Sequence, residues 1–413
     1  MKTGPPSSGP RPYPSLRSEF LTLYGCRRSG PLLNLEDARG MLVAAAHAAG
    51  LTVLEDGARF HKFRSRGRGL TAFVLLSQSH LAIHTWPEAG MAAVDFLSYQ
   101  DRPFEPAVAV LESALRPSYV ARQGVGGLSF TERYGTHSAL CINATRVLTS
   151  EDSGLQRIHL FESPTFGRVL ALDGKVQTTE RDEFFYHESL VEPALHAHPS
   201  PKRVAIVGGG DLGAAREVLK HPRVEVDILE IDRRVLELCR RHFSWGPAVT
   251  RSSRVRVILG DAFDTLERAR SRYDVILVDS TDPLPQGPAT RLFSKEFYRV
   301  AHAALRADGV LCTQSGSPLY YGRRRRDMTH ALASVFGTVM DYLVPVPTYP
   351  FGNWGFTLAT KGRKEISLAP SRVRCRLYSP AMVHAGVEMA ASLARSGLDL
   401  SPRRTPSHRS PRD

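Results

Sequence analysis

Two rhythms of hydrophobic and polar residues divide the chain. In the front part, helix-period positions over Leu35–Gly50 and Glu105–Leu115 flank alternating stretches at Thr71–Leu76, Leu81–Thr85 and Met91–Leu97. Period-2 alternation marks half-buried strands and a 3.6 period marks amphipathic helices. Helix, three strands and helix therefore predict an α+β layer with an antiparallel sheet. Asn34 stands where a helix N-cap is expected and Gly50 where a C-cap is expected. Further on, Gln156–Glu162, Arg168–Leu172 and Lys175–Thr178 read as a small antiparallel β region, with Asp173-Gly174 turning the last two. Strands then alternate with helices: Val204–Val207, Ala214–Lys220, Val226–Glu230, Arg234–Phe243, Val255–Leu259, Phe263–Arg270 and Val275–Val278. Such alternation is the sequence sign of βαβ units and a parallel sheet.

Composition sharpens the boundaries. Residues 1–18 are rich in Pro, Gly and Ser and are expected to be disordered, as are 394–413. The run QGVGG at Gln123–Gly127 suggests a linker over 122–127. The expected domains are then 19–121, 128–180 and 181–393. No apolar run approaches the ~18 residues of a membrane span, and the N-terminus lacks the apolar core of a secretory signal. No membrane partner and a cytoplasmic location are the expectation. Five scattered cysteines without paired spacing predict reduced thiols and no structural zinc. The net charge of +13 invites a nucleic-acid reading. Its densest run, Arg323–Arg326, instead opens a helix expected at Asp327–Phe336, without the interleaved aromatics of a single-strand groove. A solvated face and no nucleic acid are expected.

Candidate chemistry gathers at the ends of the parallel strands. In RVAIVGGGDLG, Arg203–Gly213, an apolar strand breaks into glycines followed by Asp211. Gly208, Gly210 and Gly213 fit a dinucleotide fingerprint, but a carboxylate in that loop would repel a pyrophosphate. Glu230 closes the second strand, 20 positions after Gly210, where an acid for a ribose diol is expected. Asp261 follows the third, and Asp279 closes the fourth with Asp282 just beyond. One such acid could simply cap a helix. Several on one edge suit a cationic ligand.

Residues from about Leu128 to Gly362 resemble the spermidine synthases, the polyamine aminopropyltransferases. The matching stretches are FESPTFGRVLALDGKVQTTERDEFFYHE, VGGGDLGAAREVLKH, LEIDRRV, GDAFD, VDSTDP, LFSKEFY and VPTYPFGNWGF. The resemblance implies a Rossmann-like, methyltransferase-type sheet behind the small β region, and a homodimer or homotetramer. It also implies aminopropyl transfer from decarboxylated S-adenosylmethionine to putrescine or another polyamine, with no cofactor or metal for the transferase. By motif position, Asp279 would accept the proton, Asp282 would hold the amine, and Tyr186 and Tyr349 would shape its channel. Asp211, with His187 beside it, would grip the aminopropyl ammonium. Glu230 would take the ribose, Asp261 and Ala262 the adenine, Gln156 and Gln177 would line the substrate sites, and Pro288 would touch the nucleoside. Two departures, Leu212 where the family has glycine and a longer DPLPQGPATRLF gate, bear on the amine accepted.

The front part, over roughly Glu19–Ala121, resembles the prokaryotic-type S-adenosylmethionine decarboxylases through LLSQSHLAIHTWPEAGMAAVDFLSY. The resemblance implies an α+β sandwich domain, self-cleavage before Ser79 that leaves a pyruvoyl group there, and His84 assisting. Thr71 stands where the family has serine, Gln78 replaces a glutamate, and Tyr99 replaces the proton-donating cysteine. Three readings stay open: decarboxylation of S-adenosylmethionine, decarboxylation of another amine such as ornithine or arginine, and a relic that supports assembly. For the rear part the alternatives are a methyltransferase, a nicotinamide-dependent dehydrogenase and an inactive scaffold. Asp211 argues against the dehydrogenase, and DSTDP with PTYP against the methyltransferase.

Overall fold

The computed structural model describes residues 17–27, 30–62, 69–77, 79–99, 103–125, 128–134, 138–282 and 288–397. Its packing divides the chain into a front unit, through Thr131 with Cys141–Arg146, and a rear unit of Glu132–Leu140 and Val147 onward.

The front unit holds β1 (Arg17–Tyr24), α1 (Leu35–Ala48), β2 (Val53–Lys62), β3 (Leu70–Leu76), β4 (Ser79–Trp86), β5 (Met91–Ser98), α2 (Glu105–Leu115) and β6 (Tyr119–Val125). The strands form one antiparallel sheet in the order β2-β3-β4-β5-β1-β6. Alternation sends Leu21, Leu23, Val74, Leu81, Ile83, Val94 and Phe96 into one core with both helices. The alternate positions Phe20, Tyr24, Leu75 and Trp86 point the other way and stay partly exposed. Asn34 caps α1, accepting from the amides of Glu36 at 2.8 Å and Asp37 at 3.4 Å. The sheet has twice the expected strands. The three extra ones carry polar or glycine-containing stretches whose pattern is weak by itself. Among them, β6 extends over Gln123–Val125, paired with Ser18–Phe20, so the expected linker is sheet through Val125. The expected tails are also shorter, because Arg17 and Ser18 belong to β1 and a later helix runs to Ser396.

Next come β7 (Leu128–Tyr134) and β8 (Ser138–Ala144), which pair with each other, and then β9 (Arg146–Asp152), β10 (Arg157–Ser163), β11 (Gly167–Leu172) and β12 (Lys175–Thr179). The last four make a separate sheet in the order β12-β11-β10-β9; β10, β11 and β12 stand at the three expected stretches, and β9 adds a strand that was not expected.

The rear sheet is built from α3 (Glu183–Ala197), β13 (Arg203–Gly208), α4 (Gly213–Leu219), β14 (Glu225–Glu230), α5 (Arg233–His242), α6 (Gly246–Arg251), β15 (Val255–Leu259), α7 (Ala262–Glu267), β16 (Tyr273–Asp279), α8 (Lys295–Ala304), β17 (Leu305–Gly316), α9 (Gly322–Ala333), β18 (Thr338–Pro345), β19 (Asn353–Thr360) and α10 (Pro380–Ser396). Seven strands run in the order β15-β14-β13-β16-β17-β19-β18. The first five are parallel, and β19 pairs antiparallel with both neighbours. Both faces are covered. Val204, Ile206, Val275 and Leu277 enter a core with α3, α4 and α5, while Ala205, Val207, Ile276 and Val278 enter another with α7, α8 and α9. Burial on both faces explains why these strands read as continuous apolar runs. The arginine run is a correction: α9 begins at Gly322, and Arg325 is buried, with its guanidinium on Asp341 and Ser315.

Candidate active site

The sheet order reverses between β13 and β16, the switch point where ligands bind in such folds. Gly208 faces Asp279 there in register. At φ +82°, a Cβ on Gly208 would fall 2.2 Å from the Asp279 carbonyl, so the crossing needs glycine. A Cβ on Gly213 would fall 2.1 Å from the His187 ring, so this glycine lets the histidine reach the loop. Leu212 between them adopts φ +69° with its side chain fully buried in the core. Left-handed backbone strains a branched side chain, and burial of the leucine offsets that strain.

Asp211 is held from two sides. Its Oδ1 accepts from the Gly213 amide at 2.8 Å, and Oδ2 lies 3.1 Å from His187 Nε2. The other ring nitrogen, Nδ1, lies 2.7 Å from Glu183 Oε2, and Arg216 donates to both Glu183 oxygens at 2.9 and 2.7 Å. Burial opposes charge on both Asp211 and His187, yet the mutual attraction wins. The Asp211 carboxyl falls below its ordinary value and the His187 ring rises well above its own. A charged aspartate thus faces the cavity, backed by an imidazolium.

Asp279 is in the opposite state. Burial first, then the nearby Asp211 charge, pushes it up to about 7, and its Oδ2 is buried without a hydrogen-bond partner. Burial, and then the Asp279 charge, holds the Tyr186 hydroxyl well above its ordinary value; the Tyr186 and Tyr349 rings meet edge-on at 5.8 Å, and Tyr349 donates to the Gln177 carbonyl. Burial and then Glu132 raise Asp282 to about 6, and Gln314 Nε2 donates to the nearby Ser280 carbonyl at 3.2 Å. Lys175 Nζ sits 3.3 Å from Glu132 and 4.4 Å over the Tyr134 ring.

At the other end, burial pushes Glu230 up to about 7, and its Oε1 accepts from the Asp232 amide at 2.8 Å. Gln156 Nε2 donates to Asp232 at 2.9 Å. Asp261 does cap α7, accepting from Phe263 at 2.8 Å, while Arg291 lies 3.4 Å from its other oxygen. Asp211, Glu230, Asp261, Asp279 and Asp282 all line one cavity of about 310 Å³, together with Gln156, Gln177, Tyr186, Ala262 and Tyr349. Pro288 opens a short 3-10 turn, Pro288–Phe293, and its side chain lies outside the described residues. His187 is a correction: it stands behind Asp211, so it positions that carboxylate instead of lining the cavity. Glu132, Lys175 and Glu183 went unread in the sequence. Glu183 could have been found from its i, i+4 spacing to His187.

In the front unit, Thr71 and His84 face each other across β3 and β4, with Thr71 Oγ1 2.9 Å from His84 Nδ1. Ser79 begins β4, and its Oγ is buried without a hydrogen-bond partner. Five residues along a strand is an odd step, so Ser79 shares the core-facing side with Leu81 and Ile83, and His84 takes the opposite face. Tyr99 is exposed just beyond β5, and Gln78 lies outside the described residues.

Comparison with known proteins decides the family. Residues 183–369 match the spermine/spermidine synthase domain, and 128–180 match the spermidine synthase tetramerisation domain. The polyamine aminopropyltransferase of Methanocaldococcus jannaschii is 38% identical over 270 residues, which is 63% of this chain and 92% of that protein. The chain belongs to the polyamine aminopropyltransferase family. The Moorella thermoacetica member is 37% identical over 268 residues, covering 64% of this chain and 94% of its own length. A crystal structure of spermidine synthase in complex with the transition-state analogue AdoDATO aligns with TM-score 0.61 and 33% identity, over 65% of this chain and 95% of that one. Spermidine synthase from Thermotoga maritima aligns with TM-score 0.60 and 32% identity, over 65% and 94% of the two chains. Residues 19–125 match the S-adenosylmethionine decarboxylase family. The chain is therefore an aminopropyltransferase-family enzyme of polyamine biosynthesis with a decarboxylase-family domain in front. Among the described residues, no helix is long and apolar enough to cross a membrane.

Proposed function

We propose that the rear unit transfers the aminopropyl group of decarboxylated S-adenosylmethionine to putrescine or a related polyamine. The observation that carries this is one cavity ringed by carboxylates, in which a charged Asp211 stands near an Asp279 raised to about 7. Both reactants are cations, and a ring of acids concentrates them in one place. A primary amine lone pair forms the bond to the methylene carbon as the carbon–sulfur bond breaks. The sulfonium leaves as neutral methylthioadenosine, so no step is routed through a metal. Asp279 takes the proton that the substrate ammonium must lose, and a value near the working pH suits that task. Asp211 grips the aminopropyl ammonium, with His187 holding it in position. Asp282 takes the far ammonium of the acceptor, in a channel shaped by Tyr186 and Tyr349. Glu230 takes the ribose hydroxyls, Asp261 and Ala262 the adenine, Gln156 and Gln177 line the two substrates, and Pro288 borders the nucleoside. The matched tetramerisation domain supports a homodimer or homotetramer, and the substrates suit a cytoplasmic enzyme. The test is an acceptor panel: purified full chain with decarboxylated S-adenosylmethionine and each of several di- and polyamines. Putrescine should give spermidine, and no product with any amine would overturn the reading.

For the front unit the reading is a self-processing domain. The buried, unpartnered Ser79 hydroxyl fits a nucleophile for the preceding carbonyl. A pyruvoyl carbonyl at residue 79 would supply an electron sink for loss of CO₂. Tyr99, exposed where the family has a thiol, does not fit the proton donor, so the amine decarboxylated is S-adenosylmethionine, ornithine or arginine only if another donor serves. Denaturing mass spectrometry should show a cut between Gln78 and Ser79. A single intact chain would leave the domain an assembly role.

A further inference from the structure

The two helices that carry the candidate site also meet away from it, around a second cluster that the transfer chemistry does not use. Glu192 and His196 are one helical turn apart on α3, and His221 follows the end of α4. The Glu192 carboxylate is fully buried, and the histidine side chains are only 11% and 13% exposed. His196 Nε2 lies 3.2 Å from Glu192 Oε2, and His221 Nε2 lies 3.2 Å from each oxygen of the same carboxylate. One ligand atom from each of the three residues lies within 4.8 Å of the others.

We propose that Glu192, His196 and His221 form a structural site for a zinc-class divalent cation. Two imidazoles and one carboxylate are a common zinc donor set, and a fourth position is filled by water. Zinc–ligand bonds of about 2.0–2.1 Å place tetrahedral donors roughly 3.3 Å apart, close to the spacing of each imidazole nitrogen from the carboxylate. His196 Nε2 makes a close approach to Glu192 but no hydrogen bond, and it is buried without any other partner. A nitrogen left in that state is satisfied by a metal. The surroundings fix the ligands: the His196 ring stacks on Tyr378 at 5.3 Å, and Ser371 Oγ donates to Glu192 Oε2 at 3.3 Å. The cation would pin the far end of α3 to the end of α4. Tyr186 and His187 ride on the first of these helices, and the Asp211 loop leads into the second, so the clamp steadies the site from behind.

The competing reading is a metal-free ionic triad, in which the His196 and His221 side chains outweigh burial and hold Glu192 down to about 2. The two differ in what they bind. Metal-free full-length protein titrated with ZnCl₂ should take up one ion per chain, and its unfolding midpoint should rise by roughly 5–10 °C at 100 times the dissociation constant. Zinc K-edge absorption should show two imidazoles. Among the described residues the other close cluster, His187 with Asp211 and Asp279, could supply one only, so the count separates the two sites. His221→Gln should weaken binding by more than the roughly 10- to 100-fold cost of losing an outer partner, with the metal-free midpoint reported beside it. No zinc uptake, or zinc bound by a single imidazole, would overturn the proposal and leave the ionic triad.

Discussion

The front and rear sheets treat polar chemistry in opposite ways. In the rear sheet both faces are covered, so its polar groups collect at the carboxyl edge, inside one cavity. Burial there drives Asp279 and Glu230 to about 7, while the His187 pair keeps Asp211 charged. In the front sheet one face packs on α1 and α2, and Phe20, Leu75 and Trp86 among the described residues of the other stay partly exposed. Its polar side chains spread over the open face, as in the half-exposed His80–Asp95 pair at 3.4 Å, and Ser79 and His84 lie on opposite sides. The difference teaches that a titrating site needs low dielectric on all sides, which a sheet covered on both faces supplies at its edge.

That contrast predicts where disturbance is costly. Asp279→Asn should lower aminopropyl transfer by roughly 10²- to 10⁴-fold if the carboxylate is the base, measured as methylthioadenosine released. Near-normal turnover would reassign the role. Glu183→Ala should cost roughly 3–5 kcal/mol in urea unfolding, because it strands the buried His187–Asp211 charges and Arg216. A loss under 1 kcal/mol would mean the chain of charges is not coupled.

The pH dependence has a fixed sign. Asp279, Asp282 and Glu230 titrate higher in the folded chain, at about 7, about 6 and about 7, than carboxyls do when unfolded. Their contribution favours the fold fully below pH ~4 and is lost as pH rises through ~6–7. Substrate-free protein should thus lose stability across that window, and urea midpoints in pH steps check it. Neutralising the three acids with amides should flatten the slope. At the small end, His80→Gln on the open front face should change stability by no more than about 1 kcal/mol, the range of exposed pairs. A larger loss would erase the contrast.

The same burial logic explains what could be read from sequence. Strands β13, β14 and β16 stood out because burial on both faces demands apolar runs, and the acids stood out because each follows or closes a strand. Their convergence followed from the parallel order alone. The unread parts depend on pairing at a distance. Lys175 and Glu132 come from β12 and β7, 43 positions apart (175 − 132), and neither position is unusual locally. β6 reads as a linker because Gly124 breaks its pattern, and only pairing with β1 makes it a strand. Arg325 looks solvated until Asp341 arrives from β18. Leu212 was legible as a departure, but its left-handed backbone was not.

The central claim is that the acid-ringed cavity moves an aminopropyl group from a sulfonium lacking a carboxylate. The most direct measurement supplies the purified full chain and putrescine with either decarboxylated S-adenosylmethionine or S-adenosylmethionine itself, and follows both nucleoside products. Equimolar spermidine and methylthioadenosine from the decarboxylated donor is the predicted result, with the carboxylated one repelled by Asp211 and productive only after any decarboxylation by the front unit. S-adenosylhomocysteine from S-adenosylmethionine, with no methylthioadenosine from the decarboxylated donor, would contradict the account.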